Sequence, residues 1–204
     1  MDYARAGNLF ALLAILAFCG CRSPESRPGL SQDPLDPTGR EHPADLKHHI
    51  RDNAASLLYD LLNDEKNVNK LLIVKRESKA LEELIDEISA TAAAGAKKLE
   101  QLAAADRTLH LDVMELPSGE AATREAIAKT TTSDLLHVKG PDFEFKLLLT
   151  QAEALNYGAH LAKVAAANES RPGSARQFSS LSEQLQRLHD RVVARLNTHE
   201  NKPR

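Results

Sequence analysis

The sequence has no tryptophan, only eight other aromatic residues (three tyrosines and five phenylalanines), and two cysteines, Cys19 and Cys21. No cysteine follows Cys21, so the rest of the chain has no thiol nucleophile, no Cys-based zinc site and no disulfide. Any fold there must stand on packing alone. With 26 basic against 29 acidic residues and a net charge of -3, the chain lacks the basic excess that sustained contact with a phosphate backbone needs, and nucleic acid is set aside as a partner. Proline is absent from Ala44 to Leu116, where Gly95 is the one glycine. Mean hydropathy is -0.38, which excludes a protein with many membrane spans. Leucine and alanine supply most of the apolar content and favour helix over strand.

The longest uncharged apolar run is short. Residues 9 to 18, LFALLAILAF, follow a segment carrying Arg5 and the α-amino group. As a helix this run rises about 15 Å, half of the roughly 30 Å needed to span hydrocarbon. It reads as the core of an export signal over residues 1–20. Cys19-Gly20-Cys21 follows, then an abrupt change to RSPESRPGLSQDPLDPTGREHP. This resembles the lipobox of bacterial lipoproteins, in which a small residue precedes a cysteine that is acylated, with palmitate among the chains attached, and becomes the mature amino terminus. Gly20 before Cys21 fits that pattern better than bulky Phe18 before Cys19, so Cys21 is the expected lipidation site. Arg22 rather than aspartate follows it, which by resemblance to sorted lipoproteins points to the outer membrane of the cell envelope. Residues 21–43 then contain Pro24, Pro28, Pro34, Pro37 and Pro43 with few aliphatics, the composition of a disordered tether.

Beyond the tether, apolar residues recur at helical spacing. Ile50, Ala54, Leu57, Leu61, Val68 and Leu71 suit one long helix from about 44 to 76, with the polar patch Asn63 to Asn67 either a break or a wet turn in it. Ser78 is the expected N-cap of a second helix whose inner stripe is Leu81, Ile85, Ile88, Ala92, Ala96, Leu99 and Ala103. Its small-sided middle, ATAAAGA, permits close approach by a neighbouring helix. Residues 106 to 141 break the pattern: Leu109, Leu111 and Val113 alternate as in an extended segment, and a short helix carries Ala122, Ala126 and Ile127 before Gly140-Pro141. A further helix from Asp142 to about Asn168 carries Phe143, Leu147, Thr150, Ala154, Gly158, Leu161 and Ala165, widened by Leu148, Leu155 and Ala162. The last carries Phe178, Leu181, Leu185, Leu188, Val192 and Leu196. The expected fold class is therefore all-α: a four-helix up-down bundle over residues 44–197, two tight hairpins joined by one long crossover as in ferritin-like connectivity, then a frayed tail at 198–204.

The segments LEELIDEISATAAAGAKKLEQLAA, DFEFKLLLTQAEAL and LSEQLQRLHDRVVARL resemble the exported bacterial ferritin-like family of unknown function, whose members include lipoproteins. The resemblance covers roughly residues 50 to 197. It implies the bundle fold and an envelope location. Members of that family carry histidines on the second and third helices, where this chain has Ala92 to Ala94 and Leu155, which leaves His189 as the matching residue.

Chemistry-bearing patterns are sparse. A di-iron carboxylate site needs Glu-x-x-His pairs, because i and i+3 share a helix face, and none occurs in the sequence. Glu153, His160 and His189 are the residues to name if a metal binds. Asp45 and His48 have ligand spacing, with His42 and His49 nearby, on what reads as a solvated helix start. The sequence has no Gly-x-Ser-x-Gly elbow and no phosphate-binding glycine loop. Gln151, Asn156 and Tyr157 are polar residues in the richest apolar helix and, beside Gly158, would be the first lining of a small ligand pocket. Arg187, Arg191 and Arg195 lie four apart and read as a solvated stripe. The expectation is thus a lipid-anchored bundle without enzymatic activity or cofactor, holding an envelope protein partner. The alternative is a divergent ferritin-like metal-binding or stress-response protein.

Overall fold

The computed structural model describes residues 43–75 and 77–200. The expected signal, Cys21, tether residues 21–42 and residues 201–204 lie outside that range. The described chain is helical: α1 Pro43–Glu65, α2 Lys70–Val74, α3 Lys79–Ala105, α4 Ser118–His137, α5 Pro141–Asn168 and α6 Pro172–Glu200. The all-α expectation holds. Among the described residues no helix is long and apolar enough to cross a membrane.

The first expected helix divides at its polar patch. α1 ends at Glu65, residues 66 to 69 form turns, and Ser89 donates to the Lys66 carbonyl at 2.6 Å, fixing the break against α3. α1 is also rotated by one residue from the expected register. Ala54, Ala55, Leu58 and Leu62 are buried, whereas Ile50 is exposed and Leu57 and Leu61 only half-buried. The paired leucines at 57–58 and 61–62 allow either stripe by periodicity. What selects between them is Arg51, which is buried and engaged, and which the apolar pattern counts as a solvent position. Val68 and Leu71 stay buried beyond the break.

Ser78 caps α3 as expected, its hydroxyl accepting from the Leu81 amide at 3.3 Å. The inner stripe of α3 is buried from Leu81 to Leu99. At Gly95 an added Cβ would lie 3.0 Å from Leu62 Cδ1 and 3.1 Å from Leu181 Cδ1. The small-sided stretch therefore seats leucines of both α1 and α6. Gly158 of α5 is a second notch, where a Cβ would lie 3.0 Å from Leu61 Cδ2 and 3.2 Å from Leu185 Cδ1.

Cross-helix pairs give the directions. α1 runs antiparallel to α3, with Arg51 beside Asp106 and Asn69 bonded to Asp86, and antiparallel to α5, with Arg51 beside Glu169 and Leu61 beside Gly158. α6 runs antiparallel to α5, with Ser182 donating to the Ala159 carbonyl and Arg195 paired with Glu144, and to α3, where Arg191 meets Glu87. α3 and α5 thus point the same way, and the chain from Asp106 to Gly140 must return along the molecule.

That return is made in two pieces. Leu109 is buried, and the chain near it lies along α1, where Ser56 donates to the His110 carbonyl and accepts from the Val113 amide. Asn53 brackets Glu115 in the same way, one bond to its carbonyl and one from its amide. α4 follows as a helix of 20 residues, longer than expected, with Thr132 and Leu135 its buried residues. Its apolar alanines do not form a stripe, and polar ties hold it instead: Arg124 to Tyr157, Asp134 to Lys146, and Lys75 to the Leu136 and Val138 carbonyls. Gly140, at φ +58, turns the chain into Pro141 at the start of α5.

The two notches set a test of packing. Gly95→Ala should change stability by less than about 1 kcal/mol, because relief of the glycine helix penalty offsets a small shift of leucine ends. Gly95→Leu should cost about 1–3 kcal/mol through overpacking. Urea denaturation of the two variants against the parent reads the difference, and equal stabilities would show that α1 and α6 do not close on Gly95.

Candidate functional site

The most concentrated polar chemistry lies at one end of the helices. Arg51, 1% exposed, directs Nε and Nη2 to Asp52 Oδ1 at 2.8 and 2.7 Å, and Nη2 also donates to the Thr108 carbonyl. Its Nη1 faces Asp106 Oδ2 at 3.8 Å and Glu169 Oε2 at 3.6 Å. Arg171 reaches the same two carboxylates from the α5–α6 turn, its backbone amide donating to Glu169 Oε1 at 2.9 Å. Two guanidinium groups thus meet three carboxylates. Asp106 follows the last turn of α3 and Glu169 that of α5, positions where helix dipoles disfavour anions, so the arginines are what make them tenable. Desolvation pushes the Asp106 carboxyl up, but the Thr108 amide and hydroxyl together with Arg171 and Arg51 outweigh it and hold the group below its ordinary range. Sequence reading missed this node, because five charged residues drawn from three segments carry no local motif.

The expected pocket residues do not converge. Gln151 is 3% exposed and faces α1, where its amide bonds to the Glu65 side chain. Asn156 is exposed, with its backbone carbonyl against His160 Nδ1 at 2.9 Å. Tyr157 is half-buried on another side, its hydroxyl accepting from Arg124 Nη1 at 2.9 Å while that guanidinium lies 5.0 Å from the ring centroid. Around Tyr157 a slot of about 50 Å³ lies between Leu57, Leu61, Met114, Leu116 and Arg124, room for a few waters rather than for a substrate.

The three residues named for a metal are likewise separated in role. Glu153 and His160 are exposed on α5, and His189 on α6 turns to Gln186 and Asp190. Among the described residues no three His, Cys, Asp or Glu side chains group as a metal would require. At the start of α1, Asp45 and His48 are exposed and His49 Nε2 lies 3.1 Å from Glu115 Oε2. In the arginine stripe Arg191 pairs with Glu87, Arg195 with Glu144 and Ser78, and Arg187 sits 4.0 Å from Glu183. Arg187 and Arg191 are exposed as a solvated stripe would be, and Arg191 and Arg195 in addition tie α6 to neighbouring helices.

Two open grooves lie along α6. One of about 610 Å³ runs between α3 and α6, floored by Gly95 and Leu181 and edged by Lys98, Arg176, Ser180 and Gln184. Another of about 510 Å³ lies between α5 and α6, edged by His160, Lys163, Ser182 and Arg187. No family model matches the chain, and neither the curated proteins nor the solved structures contain a match to it.

Arg51→Met should cost about 3–5 kcal/mol, since it strands buried carboxylates. The cost should shrink on acidification: Asp106 has a lowered folded-state value, so its stabilising contribution is present above about pH 4 and lost as pH falls through that value. Denaturant titrations at pH 7 and pH 3 measure both, and a loss below 1 kcal/mol at pH 7 would show that the node is not structural.

Proposed function

We propose that this chain is a lipoprotein of the cell envelope, anchored through Cys21, whose helical domain binds or braces an envelope partner rather than catalysing a reaction. The observation that carries the reading is the contrast between interior and surface. Inside, fully buried aliphatic and phenylalanine side chains fill the space between the helices, and the Arg51 node commits its charges to one another. Outside, two grooves along α6 are open and edged by polar and charged side chains over a partly apolar floor, a surface suited to a protein partner rather than to enclosure of a small substrate. The tether serves this role by holding the domain near the membrane, with a reach of about 70 Å if its residues extend as polyproline II.

Metabolic labelling with a palmitate analogue tests the anchor. The full-length protein should incorporate label, Cys19→Ser should retain it and Cys21→Ser should lose it. Label persisting in Cys21→Ser, or absent from the parent, would refute the anchor at this residue.

A second reading, a divergent ferritin-like metal-binding or stress-response protein, is favoured by the connectivity. Two antiparallel hairpins with α3 and α5 running the same way, joined by the long link from 106 to 140, are what this reading would expect of a ferritin-like bundle. The separation of Glu153, His160 and His189 weighs against it. The full-length protein purified without chelator should carry less than about 0.1 equivalent of iron, manganese or zinc by elemental mass spectrometry, and its melting temperature should not rise in added metal. Near-stoichiometric metal with a raised melting temperature would transfer the argument to this second reading.

A further inference from the structure

Between α1 and α5, two buried acceptor oxygens face a common problem. Glu65 Oε2 is buried without a hydrogen-bond partner, and so is Gln151 Oε1, although the two side chains are bonded to each other. Gln151 donates through its amide nitrogen, which leaves its own carbonyl oxygen unanswered. A buried acceptor without a donor costs about 1–3 kcal/mol, and here there are two on one pair of side chains. Amide rotation cannot cure this, since it would trade the existing bond for a second acceptor facing a carboxylate. A single proton on Glu65 Oε2 cures both, because the carboxylic acid then donates to Gln151 Oε1 while Gln151 Nε2 donates to the other carboxyl oxygen.

We infer that Glu65 is stored as a neutral carboxylic acid in a cyclic acid–amide pair with Gln151, a proton-loaded latch that closes the α1–α5 seam and is released when that proton leaves. Release would place a buried anion and two opposed acceptors at the end of α1, beside the turns at 66 to 69.

The surroundings favour the neutral form. Burial pushes the Glu65 carboxyl up to about 7, against a smaller downward pull from the Gln151 amide. On α1 the adjacent Asp64 is pushed up to about 8 by burial and by the carboxylates of Asp60 and Glu65, with Lys66 opposing. From α3 the nearby group is the uncharged Ser89 hydroxyl, spent on the Lys66 carbonyl. His189 of α6 turns to Gln186 and Asp190. Among the described residues no cation therefore answers Glu65, and the proton is the remaining way to neutralise it.

The sign follows from linkage. A carboxyl whose folded-state value is raised gives its full stability below its unfolded value near 4.5, loses it as pH rises towards about 7, and changes nothing further above that. Across that window each such proton lowers the folding equilibrium constant about tenfold per pH unit.

Thermal and urea unfolding of the full-length chain from pH 4 to 9 tests the latch. Glu65→Gln keeps the shape and substitutes an amide–amide pair, so between pH 5 and 7 its stability should depend on about one proton fewer than the parent's. Asp64 contributes with the same sign in both proteins and loses in the variant only the part of its shift that the Glu65 charge supplies, burial and Asp60 still holding it up. An identical pH slope in parent and variant would overturn the latch. If Glu65→Gln does not fold, the carbon-13 shift of the Glu65 carboxyl in the parent decides alone: titration near 7 supports the stored proton, and titration near 4.5 overturns it. Neither measurement depends on the lipid anchor, so the latch and the anchor can fail separately.

Discussion

The guanidinium of Arg51 is the constraint on which the rest of the structure depends. It sits on the inward face of α1, almost wholly removed from water, and reaches the end of α3, the first residues of the return segment and the last turn of α5. Burying a guanidinium is unfavourable unless its donors are met, and five N–H groups in a fixed plane can be met only from particular directions. Asp52 answers one edge from the same helix, while Thr108, Asp106 and Glu169 answer from elsewhere. The position of each helix end is thereby tied to the others. The node therefore acts less as a source of net stability than as a specification of which ends meet.

Where the node fixes the ends, the glycines fix the middle. Gly95 and Gly158 are notches in α3 and α5 filled by leucines from α1 and α6. Because one leucine of each neighbouring helix enters each notch, a slide of α1 along its axis would drive Leu62 or Leu61 against backbone rather than into space. α1 is thus held axially by Arg51 in its first half and by the notches near its C-terminal end, where Glu65 is its last residue. α4 stands outside this arrangement. It has two buried residues and is tied by side chains such as Arg124 and Asp134, so its attachment can be lost without reopening the core.

Much of this was legible in the letters. Ser78, the α3 stripe and the α6 stripe from Phe178 to Val192 obey helical spacing with charged residues kept outside, and periodicity suffices for them. The small-sided run around Gly95 likewise announced a close approach. Periodicity failed at α1, where Leu57-Leu58 and Leu61-Leu62 fit two registers and the deciding residue was a buried arginine. It failed again for the node, since Asp106, Glu169 and Arg171 acquire meaning only when three chain segments meet. Gln151 was singled out as a polar residue in an apolar helix, and the structure gives it a partner in Glu65 that lay within the patch read as a break. Asn156 and Tyr157 are its neighbours in sequence, but at about 100° per residue they face other directions.

Polar groups inside a helical domain usually mark either a site or a device for specifying the fold, and the two can be told apart by what remains unanswered. At Arg51 the charges face opposite charges: Asp106 Oδ2, Glu169 Oε2 and Arg171 Nη2 lack hydrogen bonds, but each lies in an ion pair. At Glu65 and Gln151 the unanswered atoms are both acceptors, enclosed and only one proton short of satisfaction. Neither arrangement leaves an enclosed volume for a substrate, and the slot at Tyr157 is too small for one. What the domain presents outward includes the trough between α3 and α6, with an apolar floor and with Lys98 and Arg176 on opposite walls, and its neighbour between α5 and α6. On the proposed reading the domain would act through contact along these grooves, at a distance from the α1–α5 seam where the proton is held.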